Sequence, residues 1–467
     1  METDFDVAII GGGPGGSSTA TYLRQFGYRV VVFEKEKFPR DHVGESLIPY
    51  CYYKMKEMGV LEEVEKFAAK KPGVHFVDRN NERQSVWCFD KVIDDGAQMS
   101  MHTLRAPFDK ALLDNSKRCG AVIYEECMVK DADLSNPESV KLRVADKDGG
   151  EKNYTARFLI DASGQGAFLA KKFNDVTPYA GLDRVAFFSH WLETNYDAPL
   201  TGGLIKIIYL GGEKKGWLWV IPVGRNHLSV GVTLNNSYVK EQKKKFSGTD
   251  WKEKLYRQEL AEAVNLQPIL KNAKLEHEVQ VLGDYSYFVK KKFGDNYALV
   301  GDSGAFLDPI FSSGIYVAME TAKRVSNSID IKFREGNAAG QKAFEENFVA
   351  INGGYNLIEK FVRLFYDPEL LNFSHLGTED DGYNKFLNAY EVFHYLLAGD
   401  FFSDYKKYSD FIDDLNKERS FNRFINYVKS RANEFPNSDF CRYTFEEVYG
   451  HLPAGRQIAP GLLTPTK

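Results

Sequence analysis

Gly11, Gly13 and Gly16 stand in a Gly-x-Gly-x-x-Gly arrangement, directly after the apolar run 6–10 and before a stretch, 17–26, that predicts a helix. Each glycine has a separate task in that setting. The first permits a tight turn, the second lets backbone approach a pyrophosphate, and the third lets helix pack close on strand. Pro14 and Gly15 complete the box, and the helix start offers N–H groups and a positive dipole end to phosphates. A second apolar run, 29–33, ends at Glu34, whose carboxylate can accept a hydrogen bond from a ribose hydroxyl. Two further runs end in turns that carry an acid, Asp161-Ala162-Ser163-Gly164 and Gly301-Asp302-Ser303-Gly304. Trp217-Leu218-Trp219-Val220-Ile221-Pro222 alternates so that both tryptophans face one side of a strand. Ser312, Ser313 and Gly314 open a predicted helix over 313–327, where N–H groups and the helix dipole can hold an anion without a fixed cation.

These residues need a scaffold. Strand, glycine turn, helix and strand within the first 34 residues make a βαβ unit. The box alone does not choose between NAD and FAD. From 183 to 234 the pattern is β-rich, with runs at 185–191, 205–210, 217–223 and 228–234, which predicts an antiparallel sheet walling a substrate chamber. Residues 336–467 read as mostly helical, and 351–467 hold 23 Phe and Tyr among 117, a surplus that fits core filling first and an aromatic-lined pocket second. The fold class is therefore α/β: a Rossmann-like domain, an antiparallel substrate-domain sheet and a mostly helical C-terminal subdomain. With 467 residues and 43% apolar content the chain is long enough for two or three domains, and a mostly disordered chain is excluded. A formal charge of −5 gives no basic excess for nucleic acid, and no apolar run is long enough for a membrane span. The acidic N-terminus, unlike a signal peptide, predicts a cytoplasmic location. Five scattered cysteines without a CxxC pair or zinc-like spacing predict neither a disulfide framework nor a metal site.

The Gly301-Asp302 segment resembles the GD segment of FAD-dependent monooxygenases and their relatives, in which the Asp binds the ribityl chain. No second glycine box is present for a nicotinamide, so FAD, used as FADH2, is the expected cofactor, with a separate NAD(P)H-dependent flavin reductase as its electron source. The hexapeptide 217–222 is similar, in every fixed position, to the WxWxIP signature of flavin-dependent halogenases. Three further stretches share the likeness: the segment from Arg40 to Gly44-Glu45-Ser46-Leu47, the run Asp161-Ala162-Ser163-Gly164-Gln165, and the loop from Asp308 to Tyr316. Leu396-Leu397-Ala398-Gly399-Asp400 extends it into the helical tail.

The resemblance implies halogenation through hypohalous acid. Arg40, Arg105, Gly301 and Asp302 would join the glycine box and Glu34 in holding FAD, and Ser312, Ser313 and Gly314 would hold chloride or bromide. Trp217 and Trp219 would keep the organic substrate away from the flavin. In the phenol- and pyrrole-acting branch the oxidant ends its passage through a tunnel at a lysine, and Lys71-Pro72-Gly73-Val74-His75-Phe76 fits that segment, with Lys70 as the fallback. Burial would lower the pKa of such a lysine and keep both amine and ammonium available near neutral pH. Tryptophan-acting relatives place a glutamate where this chain has Phe311, which points to a phenol or pyrrole, free or tethered to an acyl or peptidyl carrier. His75, His102 and His190 are candidates for a substrate base, although a lone histidine is more often structural. The basic run 240–245 is a solvated helix face first and a carrier-docking patch second. The expected division is an FAD-binding domain of 1–182 with 284–335, a β-rich wall of 183–283 and a helical subdomain of 336–467. A halide-independent flavin hydroxylase or a geranylgeranyl-reductase-type oxidoreductase on the same scaffold is the alternative.

Overall fold

In the computed structural model, Val122–Tyr124, Val30–Phe33, Phe5–Ile10, Glu151–Asp161 and Tyr297–Leu299 lie side by side, in that order, as a parallel sheet. The structure describes residues 3–246, 248–283, 285–367, 373, 390–414, 441 and 443–453. Val7, Ile9, Val31, Val32, Leu159 and Ile160 are fully buried, as strands covered on both faces require. The register pairs Ile10 with Phe33 and with Asp161, and Asp161 with Leu299. The next residues of the four strands, Gly11, Glu34, Ala162 and Val300, therefore emerge together at the carboxyl edge, where α/β sheets bind ligands. Helices Pro14–Gln25 and Gly314–Glu335 pack on each other, and Gly314–Glu335 packs in turn on Asn337–Phe365.

The second sheet runs Lys274–Leu275, Arg184–Leu192, His227–Asn235, Trp217–Gly224, Ile205–Tyr209, Gly73–Asp78 and Gln84–Cys88, with Gln280–Gly283 also paired to Arg184–Leu192. Alternation divides its two faces. Ala186, Phe188, Ile205, Ile207, Trp217, Trp219 and Ile221 enter the same core as Ala20 and Leu23 of the glycine-box helix. Phe187, Ile208, Leu218, Val220, Val230 and Val232 face the other way, onto Leu255, Tyr256 and Leu260 of the Trp251–Glu262 helix.

In its fold, the structure differs from the sequence reading in two places. Gly73–Asp78 and Gln84–Cys88, expected within the FAD-binding segment 1–182, are strands of the second sheet, because Gly73–Asp78 pairs in parallel with Ile205–Tyr209, 131 residues further along the chain. Such pairing leaves no mark in local periodicity. Cys88 and Cys441, 353 residues apart, form a disulfide, although their spacing suggests none. It ties the segment before Phe445–Tyr449 to the sheet beside Pro72, whose carbonyl lies 3.8 Å from the Cys441 sulfur. Closing so long a loop constrains the unfolded chain. Cys441→Ser is expected to cost about 2–4 kcal/mol in urea unfolding without reductant, and the loss should match that of wild type in dithiothreitol.

Of the helical region 336–467, Asn337–Phe365, Tyr390–Ala398, Tyr405–Asp413 and Phe445–Tyr449 are helices, while 415–440 and the proline-containing end 454–467 lie outside the described residues. The aromatics described there fill the core: Phe361, Phe365, Phe373 and Phe393 are all at least 95% buried and in ring contact with one another. Asp400, at the end of the Leu396–Asp400 segment, is buried and accepts from Tyr408 at 2.8 Å. Among the described residues no helix is long and apolar enough to cross a membrane.

Candidate active site

The glycine box folds as its spacing demands. Gly11 has φ +98°, and a Cβ there would stand 2.4 Å from the Ala162 carbonyl oxygen; one on Gly16 would stand 1.9 Å from that of Gly11. Strand, turn and helix thus touch through backbone alone. Glu34, 4% exposed, accepts from the Gly12 amide at 2.7 Å and the Glu36 amide at 2.8 Å. Burial pushes its carboxyl up, against those two hydrogen bonds. Arg40 bonds Glu36 at 2.9 Å and Asp109 at 3.2 Å, with Nη2 3.5 Å from where a Gly13 Cβ would lie. Arg105 forks onto the same buried Asp109 at 2.8 and 2.9 Å and donates to the Val43 carbonyl at 2.6 Å.

Asp302 follows Gly301, whose carbonyl accepts from Tyr355 at 3.0 Å. Burial pushes the Asp302 carboxyl up to about 7, with Arg105 pulling it down, and its side chain makes no hydrogen bond to another described residue. A glycine-rich cradle at a helix start, an acid closing the second strand and a half-buried acceptor with no hydrogen-bond partner among the described residues fit FAD. Gly11, Gly13, Pro14, Gly15, Gly16, Glu34, Arg40, Arg105, Gly301 and Asp302 are the residues that would hold it.

Lys71 ends the strand Ala69–Lys71, which pairs with Ser100–His102 and packs against Trp217–Gly224. It is 1% exposed, while Lys70 points to solvent. Its Nζ donates to the Leu47 carbonyl at 2.7 Å and lies 5.5 Å from the Phe89 ring centre. Burial pulls its pKa down to about 7. The unfolded chain therefore binds more protons between about pH 7 and 10.5, and stability rises with pH across that window. Below it the penalty is complete, on the order of 5 kcal/mol. Lys71→Met is expected to be more stable than wild type in urea at about pH 6.5, with the advantage shrinking by about pH 9.5.

Trp217 and Trp219 stand on the inner face of the second sheet with ring centres 5.5 Å apart. Trp219 lies over Gly231 of the neighbouring strand, where a Cβ would meet the indole at 2.2 Å. Trp217 Nε1 donates to the Tyr366 hydroxyl at 3.0 Å, and Tyr366 donates to Asp308 Oδ2 at 2.7 Å. Asp308 also caps the turn Pro309–Phe311, accepting from the Ile310 amide at 3.2 Å. A buried relay thus connects the paired tryptophans to the loop expected to hold halide. Asp308 lies inside the matched motif, but Tyr366 has no signal in sequence.

That loop requires a correction. Ser312 adopts φ +55°, and its amide donates to the Pro309 carbonyl at 2.9 Å, so this N–H is not open to an anion. Ser313, 6% exposed, and Gly314 stand at the start of the 22-residue helix Gly314–Glu335 and remain the candidate pair. Phe311 stacks on Phe361 with centres 3.9 Å apart, so no carboxylate stands at that point.

The three candidate histidines separate by environment. Burial, reinforced by Lys206, pulls His75 down to about 4, and burial reinforced by Lys71 holds His102 well below the usual range. His190 lies between Glu45, 2.5 Å from Nε2, and Glu276, 3.5 Å from Nδ1. Burial opposes its charge, but the two carboxylates outweigh burial and push it up to about 10, so His190 is not a free base at neutral pH. Glu45 lies in the matched Gly44-Glu45-Ser46-Leu47 stretch, but Glu276 and His227 drew no notice in the sequence, standing far from it along the chain.

The fold and this cradle define an FAD-dependent oxidoreductase, and residues 4–342 match the family described as FAD binding domain. Flavin-dependent halogenase armH3 of Armillaria mellea is 30% identical over 352 residues, covering 72% of this chain and 69% of that protein. The 1H-pyrrole-2-carbonyl-[peptidyl-carrier protein] chlorinase of Pseudomonas fluorescens is 29% identical over 393 residues, 79% of this chain and 85% of that protein. The solved structure of the myxobacterial chondrochloren halogenase CndH superposes with a TM-score of 0.72 at 26% identity, covering 91% of this chain and 97% of that one. The chain belongs to the flavin-dependent halogenases.

Proposed function

We propose that this enzyme chlorinates or brominates an electron-rich aromatic ring, a phenol by preference, with hypohalous acid passed through a tunnel from the flavin side to Lys71. When bound, reduced FAD and oxygen supply the oxidising equivalent that converts halide to hypohalous acid. The chain's own residues do the rest. Ser313 and Gly314 present a helix N-terminus to the anion. Trp217 and Trp219 fill the inner face of the sheet and exclude the organic substrate, so the oxidant has to travel. Lys71 meets it at the end of that path, as an ammonium that donates to the acid's oxygen or as an amine that takes up the halogen. A pKa of about 7 keeps both forms populated.

The burial of Lys71 is the observation that carries this reading. With Phe311 in place of a glutamate, an indole would lack a base, whereas a phenol is activated through its own hydroxyl. Electrons would come from a separate NAD(P)H-dependent flavin reductase. The substrate would be free or carrier-tethered, as the name of the Pseudomonas relative supports. Lys240, Lys243, Lys244 and Lys245 are exposed on the Asn236–Lys245 helix and would face an acidic carrier.

The test is mass spectrometry of phenols, pyrroles and tryptophan, free and carrier-loaded, incubated with FAD, a reductase, NADH, oxygen and mixed halides. A halogenated phenol is expected. An oxygenated or hydrogenated product formed equally well without halide would overturn the reading.

A further inference from the structure

A second cluster of reactive side chains lies on the inner face of the same sheet, two residues along the strand from Phe188, whose ring is 6.1 Å from that of Trp219. We propose that His190, His227 and Glu276 bind a divalent transition-metal ion of the zinc class. His190 lies on Arg184–Leu192 and His227 opens the neighbouring strand His227–Asn235. The register pairs His190 with Ser229 and Leu192 with His227, so the two imidazoles share a face and sit diagonally across the ladder. Their ring centres are 5.0 Å apart. Glu276 follows Lys274–Leu275, and its amide donates to the His190 carbonyl at 2.9 Å, which fixes its backbone beside that histidine.

The three ligand atoms converge. Glu276 Oε2 is 3.2 Å from His227 Nε2 and 3.5 Å from His190 Nδ1, and all three atoms lie within 4.8 Å of one another. An ion with bonds of about 2.0–2.1 Å in tetrahedral geometry holds its ligand atoms about 3.3 Å apart. The site thus needs little movement to close on a metal.

Two observations beyond the clustering point to a cation. His227 Nε2 is buried, makes no well-aligned hydrogen bond and has Glu276 Oε2 of the same cluster as its ion-pair partner at 3.2 Å, so the imidazole, with its side chain 7% exposed, is aimed at the other ligands. His190 hands its other nitrogen, Nε2, to Glu45 Oε1 at 2.5 Å, the carboxylate–histidine arrangement that orients a metal-bound imidazole through its far edge. Glu45 is 3% exposed, and among the described residues its ion-pair partner is His190. Two nitrogens and one oxygen select a zinc-like ion over calcium or magnesium, which take shells of oxygen.

The ion would clamp two strands of the sheet to the segment at 276. Through Glu45 it would also steady the Glu45–Leu47 stretch, whose Leu47 carbonyl receives Lys71. It would be a structural ion, with no step of the halogenation routed through it.

Metal analysis of tag-free holoenzyme, purified without chelator, is expected to find one equivalent per chain. Cobalt added to chelator-treated holoenzyme should give ligand-field bands to the red of the flavin absorption and raise the thermal midpoint. His227→Gln and Glu276→Gln should lose the metal and the bands while keeping the flavin spectrum. Anomalous scattering from crystals at the zinc edge locates the ion even if neither variant folds. No stoichiometric metal and no cobalt bands would overturn the proposal, leaving a cluster balanced by a proton on His190. Unchanged metal in folded variants, or an anomalous peak elsewhere, would overturn it equally.

Discussion

Lys71→Ala is expected to abolish halogenation of the aromatic substrate, by at least about 10²–10⁴-fold, the range typical of removing a positioned proton-transfer group. The flavin spectrum should be unaffected, because Lys71 belongs to the ribbon Ala69–Lys71 and Ser100–His102 and its ammonium is bonded to the Leu47 carbonyl rather than to the glycine box. Removing the side chain does two structural things of opposite sign. It leaves the buried Leu47 carbonyl without its donor, which costs about 1–3 kcal/mol, and it relieves the burial of a cation. Lys71→Met keeps most of the volume and so separates packing from chemistry. Both variants should be equally inactive. Substrate halogenation at the wild-type rate by either would remove Lys71 from the mechanism, and the exposed Lys70 offers no buried substitute.

Gly16→Ala is expected to leave a chain that does not retain FAD. The added Cβ would stand 1.9 Å from the Gly11 carbonyl oxygen and 3.3 Å from Ile9 Cγ2. The first of these is backbone, which cannot rotate away. To relieve it the Pro14–Gln25 helix must lift from the Phe5–Ile10 strand, which opens the phosphate cradle and the core beneath it. A loss of about 3 kcal/mol or more belongs to this class of backbone conflict. Gly12→Ala is the control: its Cβ would meet Leu113 Cδ1 at 3.2 Å and Glu34 Cβ at 3.3 Å, side-chain atoms that can give. Retained flavin absorbance after gel filtration and the thermal midpoint are the readouts, and Gly12→Ala should fall between wild type and Gly16→Ala in both.

What could be read from the sequence was local. The glycine box, its strand and helix, and Glu34 lie within one βαβ unit, where spacing and hydrophobic period determine geometry. The tryptophan pair followed from the two-residue period of a strand. Lys71 was reached through a resemblance rather than a period, since three strand residues carry almost no pattern.

What escaped was long-range. Tyr366 reaches Asp308 across 58 residues and Trp217 across 149, and His190 reaches Glu45 across 145. The parallel pairing of Gly73–Asp78 with Ile205–Tyr209 and the Cys88–Cys441 bridge depend likewise on tertiary closure. Ser312 failed for another reason. A positive φ turned its amide back into the Pro309 turn, a choice of backbone basin that a helix-start pattern does not encode.

The central claim is that oxidant is made at one place and used at another, with Lys71 at the point of use. Its most direct test is a single turnover with bromide and a phenol in the presence of taurine, an amine that captures free hypohalous acid. Wild type should place the halogen on the phenol, and Lys71→Ala should place it on taurine in comparable yield. Bromophenol from the variant in wild-type amount, with taurine untouched, would contradict the account.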